Sequence, residues 1–346
     1  MKKKMIYGLL AAGLLVAIAF SLGLGAMHIP VKEVLRVLGS KIGLVSSATV
    51  DEQYEAVLIV VRLPRVLLGV LVGAALGISG AAVQAIFRNP LAEPGLIGIS
   101  AGASLVSAVI IALEMGLLAS ISEWLGQYLL VFGAFAGAGI AAMLVYQLSK
   151  ADGKPNVATM LLAGIAINAL AGAITGLITY TSSEQQLRTI TFWMLGSLAG
   201  AGWSNVICVA PCIIVPLIWL PLMGKKLNAF SLGESQADQL GVRTSSVKKT
   251  IVLLSTLAVG SAVSVTGIIG FVGLLVPHTV RLIGGVDNRY VLPASALLGA
   301  LVLTVADMIA RVVTAPMELP IGVVTALLGT PVFLYILIKD KKKLLH

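Results

Sequence analysis

The sequence predicts an all-α integral membrane protein with ten spanning helices. Of its 346 residues, 58% are hydrophobic and only 11% are charged, and the mean hydropathy is +1.02. This composition leaves too little polar surface to cover a soluble globule of that length. Apolar runs near the ~20 residues that cross a bilayer recur along the chain, at about 5–26, 57–86, 95–113, 127–148, 157–180, 203–222, 250–266, 268–285, 291–313 and 320–338.

The first apolar run follows the basic start MKKK and resembles a signal peptide. Its length of about 20 residues and the lack of a convincing cleavage site favour a retained first span. No linker or low-complexity tract divides the rest of the chain. We therefore expect one transmembrane domain over residues 1–346.

The stretch 250–285 is too long for one span and too short for two full ones, and glycines interrupt it. Two short helices here give ten spans, so that both termini share a side, whereas one span puts the termini on opposite sides. With ten spans, 17 of the 24 Lys and Arg residues fall on the side of the termini. The positive-inside rule then predicts cytoplasmic N- and C-termini.

The longest clearly polar segment after the first sixty residues is 225–249, which is basic at both ends. Ser235–Gly241 predicts a short helix in its middle, and Glu234 and Asp238 stand four apart on one helical face. The segment is either a solvated connector or a surface that meets a partner outside the bilayer. On the predicted side of the termini, such a partner is cytoplasmic.

Arginines concentrate on the opposite side, which is poor in positive charge. Arg62 and Arg65 bracket a proline in RLPR at the outer end of the second span, and Arg311 ends the ninth. Forked guanidiniums bind carboxylates in bidentate fashion, so these residues form either a docking site for carboxylates or a set of snorkelling side chains. Asp307 lies well inside a span, with Arg311 four residues later as its expected helical partner.

Two stripes of small residues predict close helix packing. Gly69, Gly73, Gly77 and Gly80 share one helix face, and Gly164, Asn168, Gly172 and Gly176 share another. Asn168 is the polar exception, and it either hydrogen-bonds a neighbouring helix or borders a cavity. On the outer side, the loop 27–56 predicts an amphipathic surface helix around Val31–Leu38.

Several functions lack their sequence signals. No GxxxxGK[ST] phosphate cradle occurs, and the scattered basic residues do not form a nucleic-acid-binding face. Cys208 and Cys212 stand alone in an apolar run, so we expect helix packing and no metal site. Few ionisable groups lie inside the spans, and a proton- or sodium-driven carrier usually needs more. Energy is therefore expected from a partner chain.

Several blocks of the chain resemble a known family. They are RLPRVLLGVLVGAALGISGAAVQAIFRNPLAEPGLIGISAGA, LLAGIAIN, FWMLGSL, GESQADQLGV, GIIGFVGLLVPHTVRLIGG and ELPIGVVTALLGTPVFLYIL. In this order and spacing, from about Val60 to Lys339, they are similar to the FecCD-type permeases of binding-protein-dependent ABC importers. These permeases serve the uptake of iron–siderophore complexes, heme and cobalamin. The first 55 residues carry no recognisable motif, so the resemblance assigns no role to the first outer loop.

The resemblance implies a type II ABC importer permease in the bacterial cytoplasmic (inner) membrane. It implies a homodimer in the lipid bilayer, two cytoplasmic ATPase subunits that use ATP and Mg²⁺, an extracytoplasmic substrate-binding protein, and no cofactor bound by this chain. Arg62, Arg65 and Arg311 match the arginines that dock the binding protein, and Asn89 and Leu91 match an inner gate. From its polar amide on a small-residue face, we also place Asn168 on the translocation path. The match to the ATPase coupling loop comprises Gly233, Glu234, Ser235, Gln236, Ala237, Asp238, Gln239, Leu240 and Gly241.

Two other classes of function stay open on the residues alone. An ion-coupled secondary transporter needs no partner chains. A membrane enzyme acting on lipid-linked substrates needs Asp, His or Arg clustered at one interface, whereas Asp307, His278 and Arg281 are scattered along the sequence. We therefore expect a transport subunit that is not itself an enzyme, and its cargo, whether siderophore, heme or cobalamin, stays undecided.

Overall fold

The computed structural model describes residues 2–25, 27, 29–41, 43, 51–114, 118–151, 153–314 and 317–344. In these residues the chain is built from helices joined by short connectors. The helices are α1 (Lys2–Gly23), α2 (Val31–Lys41), α3 (Glu52–Ala56), α4 (Leu63–Phe87), α5 (Ile99–Leu113), α6 (Ala119–Leu125), α7 (Gln127–Leu148), α8 (Val157–Thr181), α9 (Glu184–Leu195), α10 (Trp203–Leu222), α11 (Gly224–Phe230), α12 (Glu234–Gln239), α13 (Thr244–Thr266), α14 (Val272–Gly284), α15 (Asn288–Val312) and α16 (Ile321–Leu344).

The second predicted span is part of one long helical segment. Asp51 caps its start by accepting hydrogen bonds from Gln53 N, at 2.8 Å, and from Tyr54 N. Helix α3 continues through a π-helical turn, Val57–Arg62, directly into α4. The segment ends at Arg88, whose left-handed conformation (φ 49°) turns the chain into the next connector.

Helix α4 is the central helix of the molecule, and almost every residue of it is buried. It packs against α10, α13, α14 and α15. The contact with α15 is close because glycines face it: a Cβ on Gly77 would lie 2.1 Å from the carbonyl oxygen of Ser295. A Cβ on Gly73 would lie 2.4 Å from that of Gly299. The predicted close packing of this glycine stripe is therefore confirmed at Gly73, Gly77 and Gly80, whereas Gly69 has only an ordinary side-chain contact.

The residues that the structure describes contain seven helices long and apolar enough to cross a membrane. Three shorter apolar helices accompany them, at Ile99–Leu113, Val272–Gly284 and Ile321–Tyr335. The pair of helices predicted between 250 and 285 corresponds to α13 and α14, which are separated at Gly267 (φ 69°). Lengths and composition thus agree with a multi-pass architecture.

Helix α8 begins after a small hairpin of two strands, β1 (Lys150–Ala151) and β2 (Lys154–Pro155). Asn156 caps the helix, because its side-chain oxygen accepts hydrogen bonds from Ala158 N (2.9 Å) and Thr159 N (3.2 Å). Most of α8 is exposed in the single chain. Its apolar exposed face is therefore available to lipid or to another protein surface.

The predicted amphipathic helix near the second span is present as α2. Val34 and Val37 are buried against Leu22 and Leu58, whereas Val31 and Leu35 are exposed. This arrangement is typical of a helix that lies on the surface of a membrane protein.

Candidate docking, coupling and gating sites

The three predicted docking arginines meet at one end of the molecule, which we call the arginine end. Arg62 closes the π-helical turn, Arg65 lies in the first turn of α4, and Arg311 lies in the last turn of α15. Asp307 lies between two of them: its Oδ1 accepts from Arg65 Nη2 at 2.9 Å, and its Oδ2 is 3.0 Å from Arg311 Nε. The predicted pairing of Asp307 with Arg311 is confirmed.

These guanidiniums point into the protein. Arg62, Arg65 and Arg311 are 5%, 8% and 8% exposed. Arg62 Nη1 donates to the carbonyl oxygens of Leu22 (2.6 Å) and Gly23 (2.8 Å) at the end of α1. The arrangement differs from snorkelling, in which the charged head stays in water. Arg62 and Arg311 therefore anchor the end of α1 to the core, a role that the sequence did not reveal.

Arg311 and Arg65 complete this network with polar partners from other segments. Arg311 donates to Ser21 Oγ at 2.6 Å and to the Leu24 carbonyl at 3.0 Å. Arg65 Nη1 donates to Glu318 Oε1 at 2.8 Å, and about a third of the Glu318 side chain is exposed. Glu318 is thus the partly exposed partner of an otherwise buried cluster.

Helix α12 lies at the other end of α4, which we call the coupling end. The 25 residues of α4 rise about 37 Å between the two ends. Gly233 (φ 112°) precedes α12, and Arg88 Nη1 lies 3.6 Å from the position that a Cβ on Gly233 would take. Leu232 and Leu240, one on each side of the helix, are 61% and 65% exposed. Exposed leucines beside a short polar helix suit a protein contact.

The two acidic residues of α12 both bind α13, as their predicted common face requires. Glu234 pairs with the ammonium of Lys248. Asp238 Oδ1 accepts hydrogen bonds from Thr244 Oγ1 at 2.8 Å and Thr244 N at 3.3 Å. These bonds from Thr244 lower the pKa of the Asp238 carboxyl below its ordinary value. The predicted short helix is therefore fastened at both ends rather than free in solvent.

The connector after α4 holds the predicted gate residues. The side-chain oxygen of Asn89 accepts from Leu91 N at 2.9 Å, which folds the connector into a tight Asx turn, and the Leu91 side chain is exposed. Farther along, burial raises the pKa of the Glu93 carboxyl. Asn168 of α8 reaches this connector, because its Nδ2 donates to the Gly95 carbonyl at 3.0 Å.

A cavity of about 550 Å³ lies between this connector, α5, α8 and the segment before α14. Asn168 lines it, so that Asn168 both hydrogen-bonds a neighbouring segment and borders a cavity. Gly172 and Gly176 also line it, and a Cβ on either would meet no atom within 4 Å. Within this single chain, the predicted close packing of the α8 stripe is therefore not found at these two glycines. It holds at Gly164, where a Cβ would lie 1.8 Å from the Leu96 carbonyl oxygen.

The wall of this cavity is mostly apolar, with isolated polar atoms. Ser104 Oγ, Asn168 Oδ1 and Thr175 Oγ1 are buried without a hydrogen-bond partner among the described residues. These atoms expose almost no surface, so the cavity wall offers few polar contacts to a molecule inside it. The cavity therefore fits a smooth passage with few fixed contacts.

Comparison with known proteins agrees with this geometry. The model of the FecCD transport family matches residues 13–339. The chain belongs to the FecCD transport family. It is 45% identical over 284 residues to the hemin transport system permease protein HmuU of Yersinia pestis, covering 82% of this chain and 83% of that protein. It is 38% identical over 288 residues to the cobalamin import system permease protein BtuC of Halobacterium salinarum, covering 83% of this chain and 75% of that protein.

The fold of this FecCD permease also matches that of a solved structure. It is an ABC transporter of the metal-chelate type in an inward-facing conformation. It superposes with a TM-score of 0.83 at 29% identity, covering 97% of this chain and 99% of that one. The chain is accordingly a multi-pass permease subunit of an ABC transport system and not an enzyme, as the sequence predicted.

Sequence reasoning missed a second hub, at the coupling end of the FecCD permease. Asp287 accepts hydrogen bonds from Asn228 Nδ2 (2.8 Å) and Arg289 N (3.0 Å), and Lys3 Nζ lies 3.4 Å from its Oδ2. The Asn228 bond, with those from Arg289 and Lys3, lowers the pKa of the Asp287 carboxyl far below its ordinary value. One carboxylate thus joins α1, α11 and α15. The one sequence signal for Asp287 was its position just before an apolar run, which is typical of a helix N-cap.

Proposed function

We propose that this chain is the membrane permease of an ABC importer that moves an iron complex, a heme or a cobalamin-type chelate into a bacterial cell. Membership of the FecCD family is the observation that carries the proposal. The hemin permease and the cobalamin import permease among its relatives suggest a bulky metal chelate as cargo. The apolar cavity with few polar contacts fits such a cargo, since choice of substrate is then left to a separate binding protein.

In the proposed arrangement ten helices cross the cytoplasmic membrane, with both termini and α12 in the cytoplasm. The three shorter apolar helices complete the count. The excess of Lys and Arg on that side supports this orientation. Two copies form the working unit, because the exposed apolar face of α8 beside the cavity needs a covering surface in the middle of the complex.

Two cytoplasmic ATPase subunits supply the energy, using ATP and Mg²⁺, and the chain itself binds no cofactor. They contact the segment Gly233–Gly241, where the exposed leucines flank α12. Closure of the ATPases displaces α12 and changes the gate at Asn89 and Leu91. The nearness of the Arg88 guanidinium to Gly233 supports this route from the coupling end to the gate.

An extracytoplasmic substrate-binding protein docks at the arginine end. Arg62, Arg65 and Arg311 have bonds inside the chain, so a carboxylate from the partner has to join or replace one of these bonds. Glu318 is the exchangeable position, because it is more exposed than Asp307. A carboxylate of the binding protein would then take its place on Arg65.

Reconstitution in lipid vesicles tests the proposal. The purified chain is incorporated with and without its ATPase subunits, and uptake of hemin, cyanocobalamin and a ferric hydroxamate siderophore is measured in the presence of the binding protein. We expect uptake of one of these cargoes only when the ATPase subunits and ATP are both present. Uptake by the chain alone, driven by an ion gradient, would contradict the proposal and identify a secondary transporter.

A further inference from the structure

One buried ammonium group joins three elements at the coupling end. Lys248, in the second turn of α13, is 2% exposed. Its Nζ donates to the carbonyl oxygen of Pro155 at 2.7 Å and pairs with the carboxylate of Glu234. Pro155 ends the β1–β2 hairpin and Glu234 opens α12, so that α12, α13 and the entry to α8 meet at this nitrogen.

The burial of Lys248 is specific to this position. A buried lysine costs free energy unless its charge is paired and its N–H groups are bonded. Lys249, the next residue, is exposed, so the segment as a whole does not force the side chain inward. The pairing of Lys248 with both neighbours is therefore the feature that compensates its burial.

The Pro155 carbonyl, which accepts the hydrogen bond from Lys248, lies next to the start of α8. Pro155 directly precedes Asn156, the N-cap of that helix. The backbone N–H of Asn156 donates to the Ser149 carbonyl at 2.9 Å, which ties the hairpin to the end of α7. A shift of the Pro155 carbonyl therefore moves the cap and the first turn of the helix that carries Asn168 into the cavity.

An electrostatic interaction also joins α12 to the same hairpin. The ammonium groups of Lys154 and Lys248 both add to the lowering of the Asp238 pKa, after the larger effect of the Thr244 hydrogen bonds. Lys154 is in β2. Both acidic residues of α12 thus face positive charge from the hairpin or from the residue that grips it.

We propose that Lys248 is a positioning residue that transmits movement of α12 to the β1–β2 hairpin and so to α8. The proposal deepens the proposed function, since it rests on that function for the source of the movement. The physical connection itself is a property of this chain alone. It is a short link: the Lys248 ammonium, which is 2% exposed, cannot follow Glu234 without pulling on the Pro155 carbonyl, because a buried charge that loses one of its partners is costly.

Hydrogen exchange of the full-length permease in lipid nanodiscs tests the connection without any transport assay. Glu234→Gln removes the charge that faces Lys248 and leaves the hairpin untouched. We expect it to speed exchange in peptides that contain β1, β2 and the first turn of α8 by roughly five-fold, the low end of couplings between distinct sites. In a Lys248→Met background, which already lacks the link, Glu234→Gln should add no further change there.

Two further variants separate positioning from general damage. Lys249→Met removes a neighbouring exposed lysine and should leave exchange at the hairpin as in the wild type. Lys248→Arg keeps the charge and can donate to both partners, so it should restore most of the protection lost in Lys248→Met. The proposal is overturned if Glu234→Gln speeds exchange only within α12, or if Lys249→Met acts as strongly as Lys248→Met.

The reconstituted complex gives the functional readout. With ATPase subunits and binding protein present, Lys248→Met should reduce the amount of cargo moved per ATP hydrolysed by roughly five-fold or more, while the complex still assembles. A merely structural role would lower assembly and hydrolysis together and leave this ratio unchanged. If the wild type shows no ATP-dependent uptake, the proposed function fails, yet the exchange result still decides whether Lys248 links the two elements.

Discussion

At the scale of single residues, the arginine end shows what a sequence can and cannot indicate. The pair Asp307 and Arg311 was predictable because residues four apart on a helix face one another. The hydrogen bond from Arg65 to Asp307 joins positions 242 residues apart, and no local sequence pattern predicts it. From the sequence, the three arginines looked like guanidiniums free to bind carboxylates of a partner. In the structure their N–H groups donate to acceptors within the same chain.

Glu318 provides a test of docking at the arginine end. Glu318→Gln removes the negative charge from the exposed side of Arg65, so we expect the binding protein to bind more tightly, by roughly three- to ten-fold if one surface-type charge contact is exchanged for another. Arg65→Glu should abolish the gain. Affinity is measured by surface plasmon resonance with the permease in nanodiscs at two salt concentrations.

The matched control for Glu318→Gln is Glu52→Gln, at an exposed carboxyl in α3 that is not among the partners of the three arginines. Weaker or unchanged binding of the Glu318→Gln variant would show that Arg65 is only an internal anchor. A gain that disappears at high salt supports an electrostatic docking contact.

Asp287 gives a prediction about pH. Its pKa is lowered in the folded protein from an ordinary value of 3.8, so the carboxylate stabilises the fold above about pH 4. That contribution is lost as the pH falls toward the lowered pKa. Asp287→Asn should therefore reduce stability by about 2 kcal/mol at pH 7, in the range of hydrogen bonds to charged groups, and the difference from wild type should shrink below pH 4.

Thermal unfolding in detergent at pH 7, 5, 4 and 3 measures this dependence. Glu184→Gln changes an exposed carboxyl in the first turn of α9 and serves as the control, with no comparable difference at any pH. A constant difference between wild type and Asp287→Asn from pH 7 to pH 3 would mean that the ionised form of Asp287 does not stabilise the fold.

At the scale of elements, the helices follow the hydropathy of the sequence, and each predicted apolar run has its helix. The glycine stripes show where this reasoning ends. On α4 the stripe faces Gly299 and Ser295 of α15 at backbone contact, whereas the α8 stripe packs only at Gly164 and opens onto a cavity at Gly172 and Gly176. A small-residue stripe permits close approach, but only the tertiary structure determines whether a second backbone is there.

This difference between the two stripes gives a matched pair of substitutions. Gly77→Ala puts a methyl group 2.1 Å from a backbone oxygen of α15, so the two helices have to separate. We expect a loss of about 1–3 kcal/mol or more, as for overpacked cores. Gly176→Ala meets open space, and the better helix propensity of alanine makes it neutral or slightly stabilising.

Thermal midpoints of the two variants in the same detergent compare these effects directly. Uptake adds a second distinction, because Gly176→Ala narrows the cavity and should slow transport without lowering stability. Equal thermal midpoints for Gly77→Ala and wild type would contradict this prediction. They would show that close contact between α4 and α15 does not contribute to the stability of the protein.

At the scale of the whole molecule, α4 connects the arginine end and the coupling end, about 37 Å apart, with the cavity beside it. The family was predictable from ordered motifs, which lie along most of the chain. The cargo was not, because the cavity wall presents few fixed polar atoms whose pattern could name a ligand. In the proposed arrangement the binding protein recognises the cargo, so the permease sequence alone holds little information about it.

The orientation in the membrane is the prediction on which the whole arrangement depends. Gln236 is exposed on α12 and Lys32 is exposed on α2, and the two are predicted on opposite sides. Single cysteines at these positions are made in a background with Cys208 and Cys212 changed to serine. A membrane-impermeant maleimide should label Lys32→Cys in spheroplasts, whose outer surface is accessible, and Gln236→Cys only after the membrane is permeabilised, because cytoplasmic segments carry the excess of Lys and Arg. Labelling of Gln236→Cys in sealed spheroplasts would place α12 outside and remove any contact with a cytoplasmic ATPase.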